Sequence, residues 1–422
     1  MSRKSADVEV AVVGAGAAGI GAARTLREAG ISFALLEASH RIGGRAYTEQ
    51  AAPGQPFDLG CHWLHSASLN PFVQIADELG FEYSKAGFPP MELWQDGDFL
   101  GEQENQDRSA FIERSFDEAD EAGAGGRDVA VVDVTERDNR WTPVFDYFLS
   151  LTSSLDSDQV STLDLANYRD TVENWPLKQG YGALVARHGA DLPVALNSAV
   201  TKIDWSADPI RLTTARGTLS ARRIILTVST GILGAGDIAF QPALPLWKQE
   251  AIAALPLGNH NRLCLTFERN PFGPEHPKSV LVTADDTEPL MIRLRPFGYD
   301  HVVGLTGGRF ADWLERAGQA ASVDLMKEKL AQVFGSAVPK RMTGQIVTAW
   351  REDPWVRGAY SSALPGQAHQ RVALARSLDQ RILFAGEATS PEFFSTAHGA
   401  YLSGIRAAGE ITGPRSGLPG SR

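Results

Sequence analysis

Two cysteines, Cys61 and Cys264, are all that the 422 residues carry, too few for a disulfide framework. A reducing compartment is therefore the default, and the expectation is cytoplasmic. No apolar run approaches the ~20 residues that a membrane-spanning helix needs, so no membrane partner is expected. Ser2-Arg3-Lys4 followed by an apolar stretch imitates a secretory leader, but Asp7 and Glu9 interrupt the transition. P-loop, HExxH and paired CxxC patterns are missing, as are internal repeats, and no metal is expected. Positive charge is also in deficit. Forty Lys and Arg against 51 Asp and Glu leave a formal charge of −11, which argues against a nucleic-acid partner and is compatible with a cationic small molecule. The remaining composition, 43% hydrophobic and 22% charged, is ordinary for a globular chain long enough for two domains.

What the chain does contain is concentrated at its start. Val8 to Val13 is a short apolar run suited to a buried parallel strand, and it empties into Gly14-Ala15-Gly16-Ala17-Ala18-Gly19. In that pattern Gly14 permits a tight turn, Gly16 lets the backbone approach a pyrophosphate, and Gly19 allows close helix–strand packing. A helix over roughly Ala17–Ala29 aims its free N–H groups at the same place. A second strand, Ile31–Leu36, ends at Glu37, where a carboxylate can accept from a ribose diol and disfavours the extra phosphate of NADP. Strand, turn, helix and acid in unbroken order read as a site for FAD.

Farther along, a helix is expected over Glu102–Ala122 and another over Trp141–Leu155. Strands follow at Val194–Ile203, Arg211–Thr214 and Arg222–Val228, then at Asn261–Phe267, Val280–Val282, Leu290–Leu294 and His301–Thr306. A helix over Ser322–Phe334 precedes a C-terminal block in which Arg381–Glu387 repeats the strand-to-glycine pattern and a helix runs from about Thr396 to Ile411. Nucleotide-type signals at both ends imply a domain assembled from non-contiguous segments.

These motifs together resemble the flavin-containing amine oxidase family, which includes monoamine oxidases, polyamine and spermine oxidases and flavin histone demethylases. Arg41-Ile42-Gly43-Gly44-Arg45 is similar to the family's second dinucleotide motif, and Asp58-Leu59-Gly60-Cys61-His62-Trp63-Leu64-His65 to its flavin-bordering segment. Gly180–Leu184 and Leu196–Val200 resemble the region whose valine backbone meets adenine; Phe384-Ala385-Gly386-Glu387-Ala388-Thr389 and Ser395–Ala400 resemble the closing motif. The fold so implied is α/β, a Rossmann-type (glutathione-reductase-like) FAD-binding domain over 1–88, 178–240 and 350–415. A discontinuous α+β substrate-binding domain covers 89–177 and 241–349, and a flexible tail covers 416–422. The implied cofactor-binding residues are Gly14, Gly16, Ala18, Gly19, Glu37, Ala38, Arg41, Gly43, Gly44, Arg45, Val200, Gly386, Glu387, Thr396 and Ala397. Glu387 is expected to accept a ribitol hydroxyl, its other reading being a helix cap, and the helix from Thr396 to face the flavin N1–C2=O edge.

The resemblance implies catalytic-site roles for Trp63, His65, Arg262, Tyr360 and Thr396. Ala359 stands where monoamine oxidases carry the cysteine joined to flavin, so FAD is expected to be non-covalent. Tyr360 matches one wall of an aromatic pair whose other wall falls on Thr396; a core tyrosine is the alternative. Arg262 stands where the family usually has a lysine near flavin N5, and a solvent-exposed strand-edge arginine is the alternative. His65 is either a substrate-binding or a core histidine. Asp170 and Glu173, beside Trp175, are candidate anchors for a distal ammonium. The implied reaction oxidises a primary or secondary amine, a polyamine included, to an imine and aldehyde, with hydride transfer to flavin N5 and reoxidation by O2 giving H2O2. O2 or another acceptor is thus a partner, and a homodimer is possible on the same resemblance. Rival readings are an L-amino-acid oxidase, in which Arg293 or Arg295 would hold the substrate carboxylate, a desaturase of the same fold, or a non-catalytic FAD-binding scaffold or sensor.

Overall fold

The computed structural model describes residues 6–284 and 287–413. The tail expected at 416–422 lies outside them. Val8–Val13 forms as expected and is flanked in parallel by Phe33–Leu36 and Gly217–Leu226, in the register Val12 to Leu35 and Val12 to Ile225. Ile382–Phe384 adds to Gly217–Leu226, again in parallel, so the chain's two glycine-bearing ends meet in one eight-stranded sheet. Every residue from Val10 to Val13 is buried, which explains the unbroken apolar run, because both faces are covered in this parallel-paired part of the sheet.

Helix Ala17–Glu28 lies against helix Ala397–Thr412 at near backbone contact. A Cβ on Gly404 would stand 1.9 Å from the Ala18 carbonyl oxygen, and one on Gly21 would stand 2.5 Å from that of Tyr401. These glycines therefore set how closely the two helices approach. A second, seven-stranded sheet runs in the order Met342–Val347, His260–Phe267, His301–Gly307, Thr287–Leu294, Ser279–Ala284, Met91–Gln95 and Asp98–Phe99. Helices Glu102–Ala124 and Thr142–Ser153 close to the expected bounds pack beside it, sharing a core with Leu93 and Leu281. No helix among the described residues is long and apolar enough to cross a membrane.

One expected strand is broken. Val194–Ile203 divides into Val194–Ala195 and Val200–Asp204, which occupy opposite parts of the sheet. Asn197 adopts a left-handed φ of 51°, and the amides of Asn197 and Ser198 donate to the carbonyls of Ser39 and Glu37. The sequence reads through this link because apolar residues stand on both sides of it, Val194 before and Val200 and Ile203 after.

Candidate active site

A cavity of about 1330 Å³ runs between the two sheets. Drug-sized ligands occupy roughly 300–1,000 Å³, so this space can take a dinucleotide and a further molecule. Its lining includes Gly14, Gly16, Ala17, Ala18, Glu37, Arg41, Gly43, Gly44 and Arg45 at one end. His65, Arg262, Arg293, Tyr360, Thr396 and Trp63 belong to the same surface. Gly19 alone among the expected cofactor residues stays off the cavity wall, and its place explains that: a Cβ there would stand 1.9 Å from the Gly14 carbonyl oxygen. Gly19 shapes the turn from behind.

The glycine loops form one cradle. Gly14 takes φ 102°, and the Gly43 amide donates to the Ala15 carbonyl at 2.9 Å, seating the diglycine on the first turn. Glu37 is 7% exposed and accepts from the amides of Ala15 at 2.7 Å and Ser39 at 2.9 Å. These bonds fix the loop and leave each carboxylate oxygen a further acceptor position for a ligand hydroxyl. Arg41 stacks on Tyr47 at 3.7 Å and donates to the Gly44 carbonyl at 2.8 Å. Helix Ala17–Glu28 begins at Gly16 with no side-chain cap, so its first-turn amides stay available to an anion. These features fit the pyrophosphate and ribose of FAD.

At the other helix start, Thr396 caps its own helix: Oγ1 accepts from the Gly399 amide at 2.9 Å and donates to the Phe393 carbonyl at 2.7 Å. Thr396 and Ala397 both line the cavity. Glu387 is 4% exposed. Oε1 accepts from Arg45 at 2.9 Å and the Ser361 amide at 3.1 Å, while Oε2 accepts from Ser361 Oγ at 2.6 Å and the Ser395 amide at 2.9 Å. Glu387 thus ties the Arg45 and Ser361 segments to the start of the last helix while it lines the cavity. Burial pushes the carboxyl up, but Arg45, Arg371 and Ser361 outweigh it and hold it below the ordinary value.

Two buried hubs complete that support. Arg371 makes a fully buried two-pronged pair with Asp164, Nε to Oδ1 at 2.6 Å and Nη2 to Oδ2 at 2.7 Å, and its Nη1 donates to Ser361 Oγ at 2.9 Å. The partners stand 207 residues apart, out of reach of any motif. Asp58 is the other hub. It accepts from Thr48 at 2.5 Å, from the amides of Tyr181 and Gly182, and pairs with His62 Nδ1 at 2.9 Å. Burial raises its carboxyl, yet His62, Thr48 and the Tyr181 amide together hold it low. Burial drops His62 to about 4, and it lines the cavity.

Arg262 lies on a strand hydrogen-bonded on both sides, between Met342–Val347 and His301–Gly307, so it is no edge residue. Its Nη1 donates to the Asp58 carbonyl at 3.2 Å. Tyr360 lines the cavity while its hydroxyl is turned to the Leu151 carbonyl and His260 Nδ1, leaving its ring as what the cavity meets. Trp63 meets Phe88 with ring centres 4.5 Å apart and the planes tilted by 54°. His65 Nδ1 is held by Asn174 at 2.5 Å, and burial lowers its pKa, as it does to about 3 for His260. Of the two expected ammonium anchors only Asp170 lines the cavity. Glu173 accepts instead from the Ser68 amide at 3.1 Å and from Thr171 at 3.2 Å, outside it.

The family model for flavin-containing amine oxidoreductases matches residues 17–412. The chain belongs to that family. Polyamine oxidase 4 of Oryza sativa subsp. japonica is 29% identical over 95% of this chain and 88% of its own length. Polyamine oxidase 2 of Arabidopsis thaliana is 28% identical over 96% and 88%. Human lysine-specific histone demethylase 2 is 27% identical over 95% of this chain but 53% of its own. A solved putrescine oxidase, redesigned in its cofactor binding, shares the fold with a TM-score of 0.80 over 96% of this chain and 98% of its own, at 19% identity. As a flavin-containing amine oxidoreductase the protein is an enzyme, FAD is its cofactor, and oxidation of an amine is its reaction class.

Proposed function

We propose that the enzyme oxidises a primary or secondary amine at the carbon attached to nitrogen, giving an imine that hydrolyses to an aldehyde, with dioxygen as acceptor and hydrogen peroxide as product. The observation that carries this reading is the single cavity joining the two glycine loops to a wall of Trp63, Arg262 and Tyr360. Bound FAD supplies the two-electron acceptor. Gly14, Gly16, Gly43, Gly44 and the start of helix Ala17–Glu28 hold its phosphates, Glu37 its ribose, and Val200 its adenine end. Ala359 offers no thiol, so FAD is non-covalent. The division into an FAD-binding part, 1–88, 178–240 and 350–415, and a substrate-binding part, 89–177 and 241–349, belongs to the same reading.

The chain's own work is positioning, exclusion of water and control of charge. Tyr360 and Trp63 supply apolar ring surface against the substrate. The amine must react with its nitrogen neutral, and His62 and His260, at about 4 and about 3, take no proton from it at neutral pH. Glu113, Asp117, Asp120 and Asp170 line the cavity and favour approach of a cationic amine. The test is an aerobic peroxide assay on FAD-loaded protein with alkylamines, N-methylamines, diamines, polyamines and amino carboxylates. Peroxide with at least one amine is expected, rising with pH as the amine deprotonates; no peroxide and no oxygen uptake with any of them would overturn the reading.

A further inference from the structure

Arg293, on strand Thr287–Leu294, reaches the cavity with its guanidinium 4.3 Å from the Trp63 ring centre and 5.7 Å from that of Phe88. Its Nε is buried without a partner, and among the described residues the side chain makes no ion pair. Arg295, two residues on, shows the contrast: it is spent on Asp300 at 3.0 Å and on the Gly298 carbonyl at 2.8 Å. Burial first, and the like charge of Arg262 second, push Arg293 down to about 9, so it remains a cation at neutral pH and lacks a counter-ion. Asp58, on whose carbonyl Arg262 sits, is already held through its carboxylate by Thr48, His62 and two amides. Tyr147 is engaged as well, donating to the Leu305 carbonyl and accepting from the Met291 amide. Elsewhere on the same cavity, Arg108 is buried with Nε and Nη1 unpartnered.

A buried cation left without an anion is costly, and the cost is removed when a ligand brings the anion. Sandwiched against aromatic rings, a guanidinium keeps its in-plane N–H fork free, which matches the two oxygens of a carboxylate. We propose that the amine oxidised by this enzyme is zwitterionic, carrying a carboxylate on its non-reacting part, and that Arg293 is the specificity-determining residue that binds it. The inference rests on the amine-oxidase reading above and narrows its substrate. A bare diamine would set an ammonium beside two guanidiniums, whereas an amino carboxylate satisfies Arg293 and presents its neutral amine to the rest of the pocket.

Two measurements test this. Calorimetric titration of the FAD-loaded enzyme with benzoate, and separately with benzyl alcohol and inorganic phosphate, reads anion binding without turnover. Benzoate is expected to bind, benzyl alcohol to bind at least about 10-fold more weakly, the scale of one charge-assisted contact, and Arg293→Met to erase the difference. Anaerobic flavin reduction is then compared between n-alkylamines and ω-amino carboxylates of equal chain length, with α-amino acids as a further arm. The carboxylated member of some pair is expected to half-saturate roughly 10- to 100-fold lower, with Arg293→Lys keeping part of that preference. Equal binding of benzoate and benzyl alcohol by the wild-type protein, or alkylamines and polyamines preferred at every length, overturns the proposal; so does phosphate binding in place of benzoate. Failure of every amine to reduce the flavin strikes the amine-oxidase reading instead, while the benzoate titration still decides the anion site.

Discussion

Arg262 occupies the middle of three hydrogen-bonded strands with its guanidinium on the Asp58 carbonyl, and it lines the cavity proposed to hold the flavin. A fixed cation beside the electron acceptor stabilises negative charge that builds as dioxygen takes electrons. Arg262→Met is therefore expected to slow reoxidation more than reduction by amine, by roughly 10- to 1000-fold if it resembles loss of one preorganised donor, and Arg262→Lys to keep substantial activity. Stopped-flow comparison of the two half-reactions checks this; equal, near-wild-type rates for Arg262→Met would show that the arginine only braces Asp58. Arg371 carries a different expectation. Removing it leaves Asp164 buried and uncompensated, so Arg371→Met should destabilise the protein by about 3–5 kcal/mol, measured by denaturant unfolding, and an unchanged midpoint would contradict a structural role for the pair. Positions such as Gly14 and Gly43 are legible because the turns they form are local and repeat a spacing. Asp164 with Arg371 is not, because a buried pair formed across 207 residues leaves no pattern in either neighbourhood.

The elements around the cofactor cradle follow directly from sequence periodicity. Val8–Val13, the helix after it and Phe33–Leu36 lie within three residues of their expected bounds, since fully buried parallel strands read as unbroken apolar runs. The hairpin Thr48–Ala52 with Gln55–Asp58 and the helix Tyr181–Gly189 carry no comparable periodic signal. The first is too polar for alternation to register, and the second begins at a cap, Asp58, that is distant in sequence. Gly16 offers the sharpest test at this scale. Its φ of −75° suits any residue, and a Cβ there meets nothing nearer than the Gly43 carbonyl oxygen at 3.7 Å. Gly16→Val should thus fold with a normal circular-dichroism spectrum and lose FAD by obstructing the pyrophosphate. Normal FAD content in that variant would remove the glycine loop from the cofactor site.

Across the whole molecule, burial holds His62, His188 and His301 near 4 and His260 and His398 near 3, so all five are neutral when folded at neutral pH. Unfolded histidine titrates at about 6.5. The unfolded state then binds more protons between about 6.5 and 4, and stability falls as pH drops through that window. Asp58 and Glu387, held low in the fold, extend the loss further into acid. The thermal midpoint should fall steadily from pH 7 to 5, and a flat profile would show that these histidines are solvated. Stability and the proposed chemistry meet at one cavity, whose lining comes from both ends of the chain and from the strands between. The most direct test of that convergence is a single turnover under anaerobic conditions, counting aldehyde against flavin after mixing FAD-loaded protein with an excess of amine. One equivalent of aldehyde per bleached FAD, with the cofactor released into the supernatant by acid, is the predicted result; an oxidised flavin with every amine, and no aldehyde, would contradict the account.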